Sequence, residues 1–163
     1  MIVRDAVAAD AAALAAVVGP IAESTTATFD ATVRDAAWCA ALIAARPGAV
    51  FVAVEGDAIL GLGTFAAFRG GTGYARTMEH TIMLAPEARG RGMGPALLRR
   101  IEEAARAADA HSLIAAISAE NAAGLAFHDR QGFAHAGRLS QAGWKFGRWI
   151  DLVLMQKMLH AAP

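Results

Sequence analysis

The sequence predicts a single α/β domain: a mixed, mostly antiparallel central sheet with helices on both faces. Three observations predict it. The apolar repeat switches along the chain between the helical period of about 3.6 residues and the strand period of two. Strands in the first half are joined by short turns, which link antiparallel neighbours, whereas those flanking residue 101 are separated by a whole helix, as a parallel crossover requires. Between these halves, a glycine-rich turn over residues 89–94 feeds a helix N-terminus.

The elements follow in order. Ile2, Val3 and Arg4 open the chain as an edge strand, and Asp10 reads as the N-cap of a helix carrying Leu14, Val17, Val18 and Ile21. Residues 23–30 are polar and β-branched and read as a loop. A second helix over residues 35–45 carries Trp38, Leu42 and Ile43, and Arg46-Pro47-Gly48 stops it. Residues 50–55 and 59–68 form a hairpin around Gly56-Asp57. Residues 69–73 make a flexible connection to a strand over 76–84. The helix after the glycine turn spans 95–107, with Pro95 at its start and Leu97, Leu98, Ile101 and Ala105 on its apolar face. A strand over 112–118, a helix over 120–131 ended by Gly132, and strands over 133–140 and 149–155 complete the domain, which takes in residues 1–163.

Composition narrows the function classes. Apolar residues are 56% of the chain, but alanine inflates the figure, and no run reaches the roughly 18–20 apolar residues of a membrane span. Asp5 and Asp10 interrupt any apolar leader, so no signal peptide is expected. Fifteen basic and fifteen acidic residues cancel, leaving no field that favours nucleic acid or anionic lipid. A single cysteine, Cys39, excludes an internal disulfide and suits a cytoplasmic protein. The five histidines lack a His-x-x-x-His spacing, so no metal is expected.

Chemistry concentrates at Arg89-Gly90-Arg91-Gly92-Met93-Gly94. Glycines let the backbone turn sharply and approach a ligand, and a helix N-terminus behind them offers free amides and a positive dipole end to phosphate. A mononucleotide P-loop would close on Lys-Ser or Lys-Thr, which is missing, and a Rossmann fingerprint would need glycine where Pro95 stands. The bland readings are a solubilising loop or an RG-type RNA contact, the latter lacking interleaved aromatics. What remains, Arg-x-x-Gly-x-Gly, resembles the pyrophosphate loop of the acetyl-coenzyme A-dependent N-acetyltransferases of the GNAT superfamily. The resemblance implies that fold, with splayed central strands and acetyl-CoA as co-substrate. It also implies cofactor contacts from Ile82, Met83, Leu84 and Arg89 through Gly94.

A second stretch, Asn121 to Phe133, matches the family's Asn, a ring side chain seven positions on, then Gly-Phe. Asn121 could satisfy an amide of the cofactor arm or simply cap a helix. The ring is usually tyrosine, the acid for the leaving thiolate; here it is His128, which can act as acid or base or sit hydrogen-bonded in the core. Histidine at that point, Ser24 to Phe29, Tyr74 to Leu84 and Gly143 to Leu152 resemble the phosphinothricin and methionine sulfoximine acetyltransferase branch, whose C-terminal signature is Gly-Phe-Lys-x-Gly-x-Trp-x-Asp. Trp144 replaces the phenylalanine, and Lys-Phe-Gly-Arg-Trp has no evident structural reason to recur.

Glu79 lies mid-strand on one face with Thr77, Thr81 and Met83, opposite Met78, His80, Ile82 and Leu84. A carboxylate there is costly to bury unless paired, for instance with Arg76, or functional. The branch resemblance assigns it the general base that takes a proton from the substrate ammonium, directly or through water. A backbone N–H near Met83 or Leu84 would meet the thioester oxygen. Arg69, Tyr74, Arg76 and Lys145 are candidates for a substrate carboxylate, and Phe29 and Trp149 for walls. Cys39, remote from every motif, reads as a structural thiol, so transfer is expected directly in a ternary complex. The implied substrate is a small amino acid analogue, and the implied assembly a homodimer. Acetylation of protein N-termini or lysines, or a non-catalytic acyl-CoA sensor, are the rivals.

Overall fold

The apolar alternation of one strand sets the layering. In β2 (Val50–Glu55), Val50, Val52 and Val54 pack with α1 (Ala11–Ser24) and α2 (Ala36–Ala45), while Phe51 and Ala53 turn to α3 (Met93–Ala107) on the opposite face. The computed structural model describes residues 1–160. Its remaining elements are β1 (Ile2–Asp5), β3 (Ala58–Ala67), β4 (Thr77–Leu84), β5 (Ser112–Ser118), α4 (Ala122–Arg130), β6 (Ala134–Lys145) and β7 (Arg148–Met158). The strands form one seven-stranded sheet in the order β1-β2-β3-β4-β5-β7-β6. Every neighbouring pair is antiparallel except β4 and β5, which are parallel on either side of α3. The expected mixed sheet with helices on both faces is present.

Several boundaries differ from expectation. Asp10 stands at the N-cap position of α1 as expected, but its side chain makes no cap bond; the carboxylate instead takes two hydrogen bonds from Arg4 at 2.7 and 2.8 Å and one from the Val7 amide at 2.8 Å. The cap role falls to Asp35 on α2, whose side chain accepts from the Trp38 amide. α3 begins at Met93, two residues before Pro95, because Gly92 adopts φ 81° and turns the chain directly into the helix. Pro95 is still within the first turn, where no N–H is needed. β6 and β7 are longer than expected and meet at Phe146-Gly147, both left-handed at φ 52° and 73°. That is the backbone of a tight two-residue hairpin turn. The Lys-Phe-Gly-Arg-Trp run therefore does have a structural reason: it is the tip of this hairpin.

No helix among the described residues is long and apolar enough to cross a membrane.

Candidate active site

β4 and β5 are paired only from Thr77 to Glu79 against Ser112 to Ile114. Beyond Glu79 the two strands share no ladder, although β4 stays bonded to β3 and β5 to β7. A fork therefore opens in the middle of the sheet, with Glu79 the last paired residue and His80 the first beyond. The register of β3 with β4 is unbroken, and its ends are marked by Phe68 N–H to Thr77 O and Ala85 N–H to Leu60 O. Backbone groups of an antiparallel strand alternate in direction, so Thr77, Glu79, Thr81 and Met83 bond to β3. The amides and carbonyls of His80, Ile82 and Leu84 face the fork. Of the two oxyanion donors expected, Met83 is thus excluded by its direction, and its side chain is buried in the core. Leu84 remains, and the Ile82 amide joins it in facing the fork.

The glycine turn follows the open end of β4. Gly90 and Gly92 have φ 72° and 81°, and nothing stands within 4 Å of where their Cβ atoms would be, so the space above the turn is free. The amides of Gly90, Arg91 and Gly92 find no acceptor among the described residues, and those of Met93 and Gly94 head α3 without intrahelical partners. This cradle fits a diphosphate. Met93 contributes backbone alone, its side chain being buried, and Gly94 lies under the Phe127 ring. Arg89 is exposed, whereas Arg91 is held by Glu55 through bonds of 2.7 and 2.8 Å. Asn121 caps α4, its Oδ1 accepting from Gly124 N–H at 2.9 Å. Its side-chain NH₂ remains available beside the fork's β5 arm.

Glu79 is half-buried and has no ion-pair partner among the described residues. Arg76, the alternative partner, is instead exposed and paired with Asp109 at 2.7 Å. Burial raises the Glu79 carboxyl above its ordinary value, with Arg46 opposing more weakly. A free carboxylate with an elevated proton affinity at the fork's apex is able to take up a proton there.

His128 is placed differently from an exposed acid. Its Nδ1 lies 2.7 Å from the Gly124 carbonyl, so that nitrogen carries the proton and Nε2 is bare. Nε2 is sealed in the interior without a partner, and the neighbouring His80 ring, 5.1 Å away between centroids, has both its nitrogens unpartnered as well. Burial lowers the pKa of both rings, that of His80 to about 3. In this arrangement His128 has no proton at Nε2 to give a departing thiolate.

The substrate candidates fall into three groups. Arg69 stacks on Tyr74 at 4.6 Å in the β3–β4 connection, on the surface with Arg76. Trp149 is 56% exposed and meets Trp144 edge-on at 5.1 Å, out on the hairpin. Phe29 packs on Gly143, and Lys145 donates to the carbonyls of Ala22, Thr25 and Thr28 at 2.5, 2.7 and 2.8 Å. All three Lys145 protons are used within the chain, which leaves none for a substrate carboxylate. Sequence reasoning missed Arg34, which lies half-buried against the same loop with its guanidinium 3.7 Å from the Asp30 carboxylate, stacks on Trp38 at 4.6 Å and bonds Thr28 Oγ1 at 3.2 Å. Its Nε has no partner. The Asp30, Arg34, Trp38 spacing of four was the available signal. Cys39 is buried, and burial raises its thiol pKa, which fits a structural role.

A forked mixed sheet with an amide-lined cradle at its open end and an unpaired carboxylate at its apex offers the groups that acyl transfer from a phosphate-bearing thioester calls for. The chain belongs to the acetyltransferase (GNAT) family, whose model matches residues 20–133, and is an acetyl-CoA-dependent acyltransferase. It is 37% identical over 158 residues to an L-methionine sulfoximine/L-methionine sulfone acetyltransferase of Pseudomonas paraeruginosa, covering 94% of this chain and 92% of the relative. It superposes with a TM-score of 0.92 on a Salmonella typhimurium acetyltransferase solved with acetyl-CoA, at 34% identity over 99% of this chain and 96% of that one. A phosphinothricin acetyltransferase of Sinorhizobium meliloti in complex with acetyl-CoA gives 0.89, at 32% identity over 96% and 87%.

Proposed function

We propose that the protein transfers the acetyl group of acetyl-CoA to the amino group of a small amino acid analogue of the methionine sulfoximine, methionine sulfone or phosphinothricin type. The observation that carries this reading is Glu79, half-buried and unpaired where the sheet forks. The amino acid substrates named for similar proteins support the substrate class. In this reading the amides of residues 90–94 and the Asn121 NH₂ hold the donor, which supplies the thioester carbonyl. The Ile82 and Leu84 amides steady the developing charge on its oxygen. Glu79 takes one proton of the ammonium, directly or through one water, and the amine attacks the thioester carbonyl within a ternary complex; the tetrahedral intermediate collapses by breaking its C–S bond, and the second amine proton passes to the departing coenzyme A thiolate. Phe29 and the residue 24–29 loop form the amine-side wall.

The assembly in this reading is a homodimer, supported by Leu139, Trp144, Phe146 and Trp149 standing exposed together on the β6–β7 hairpin. The buried Cys39 thiol is at home in a reducing cytoplasm.

The test is thiol release from acetyl-CoA against a panel of small amino acids, sulfoximine and phosphinothricin analogues, and peptides. Turnover confined to the small amino acids is expected. Turnover of peptides alone, or of no amine, would overturn the substrate class.

A further inference from the structure

Lys145 sits in β6, more than a hundred residues along the chain from the groups it bonds, and is only 7% exposed. Its three donors are matched by three carbonyl oxygens, those of Ala22, Thr25 and Thr28. Ala22 lies in the last turn of α1, where carbonyls lack helical partners and a cation is favoured by the helix dipole. Thr25 is the residue that ends the helix, and Thr28 precedes Phe29. Gly143 lies two residues before Lys145 in β6, hence on the same face of the strand. A Cβ there would run into the Phe29 ring. The ammonium thus holds this short segment along its length, and the glycine seats its last residue. Among charged neighbours, Arg34 and Asp30 face the ammonium from the loop side, one of each sign.

We infer that Lys145 is a positioning residue for the amine substrate: it straps residues 22–29 to the β6–β7 hairpin and so fixes the wall on which that substrate rests. This deepens the function proposed above and rests on it for the identity of the wall. It also accounts for the shared presence of the Ser24 to Phe29 loop and the Gly143-Trp144-Lys145 stretch in one sequence, since each is the other's packing partner. The competing role, a direct salt bridge from Lys145 to the substrate carboxylate, requires a donor the ammonium no longer has.

The two roles separate on paired substrates. KM and kcat are measured for the wild type and Lys145→Met with methionine sulfone and with its α-carboxamide, alongside calorimetric titration with acetyl-CoA. A positioning role raises KM for both amines by the same factor, roughly tenfold or about 1.4 kcal/mol. It changes kcat less and leaves acetyl-CoA affinity unaltered. A loss confined to the carboxylate-bearing substrate, or no change in KM for either, overturns the inference. Gly143→Ala, which displaces Phe29 without touching the ammonium, reproduces the rise if the strap is what matters; an unaltered KM there counts against it. Hydrogen exchange gives a readout without any substrate. Amides of residues 24–29 exchange at least about tenfold faster in Lys145→Met while those of β4 and β5 do not change. Unchanged exchange overturns the strap, whereas faster exchange in a protein that acetylates none of the amines upholds it and refutes the substrate reading alone.

Discussion

His80 and His128 face each other from β4 and α4 with ring centroids 5.1 Å apart, and three of their four ring nitrogens have no partner. Phe133 closes the cluster at 5.4 and 5.1 Å from the two rings. Both rings are held neutral chiefly by burial. A folded-state pKa below the unfolded value of about 6.5 means that the unfolded chain binds protons first as the pH falls. Stability is therefore full above about pH 6.5 and declines below it, for His80 down to about pH 3, by up to about 1.4 kcal/mol per pH unit for each proton taken up. Denaturant midpoints measured from pH 8 to pH 5 should show this slope. His80→Leu should remove one proton's share, at little cost at pH 8, because a buried imidazole without partners contributes little.

Glu79→Gln should lower kcat by roughly 10²- to 10⁴-fold, the usual range for a lost general base, with acetyl-CoA binding unchanged by calorimetry. The wild-type profile of kcat/KM against pH should have an acid limb above the ordinary glutamate range, as the raised carboxyl requires. That limb should vanish in the variant. Equal turnover by both proteins would remove Glu79 from the proton path.

Gly92 adopts φ 81° at the entry to α3, and a side chain there costs about 1–2 kcal/mol in the left-handed region. Gly92→Ala should lower the unfolding free energy by that amount. Acetyl-CoA affinity should fall with it, since relaxing the turn re-aims the amides of residues 90–94. Thermal unfolding with and without acetyl-CoA reads both effects.

Arg89 is exposed beside the cradle, while Arg91 is engaged by Glu55. Arg89→Ala should weaken acetyl-CoA binding about tenfold at low salt and flatten its salt dependence. Arg91→Ala should weaken it less. The reverse order in calorimetric titrations would show that Arg91 leaves Glu55 for the phosphates.

Much of this was legible in the residues. Two-residue alternation put Glu79 and His80 on opposite faces of β4, and the helical crossover required the β4–β5 pair to be parallel. Glycines at 90 and 92 marked the sharp turn. What escaped were features set by partners distant in sequence. The β6–β7 hairpin was cut short because residues 134–142 are exposed nearly throughout and lack the alternation of a half-buried strand. Its tip was hidden because Phe146 adopts a left-handed conformation usually left to glycine or asparagine. Lys145 carried the pattern of a surface cation until the carbonyls of Ala22, Thr25 and Thr28 closed around it. The inward Nε2 of His128 depends on Gly124 and His80 together, a relation that spacing along one helix does not encode.

The unzipped run of β4 makes the sheet an unfinished structure. His80, Ile82 and Leu84 present main-chain donors and acceptors to a gap that β5 leaves open, at the spacing of a neighbouring strand. A flexible molecule bearing amide groups at similar intervals would occupy the gap as a surrogate strand. Recognition then reads the main chain and depends little on the side chains of Ile82 or Leu84. Substitutions on this edge should consequently be tolerated so long as the main chain keeps its course, and the folded state should gain heat resistance with each increment of occupant added.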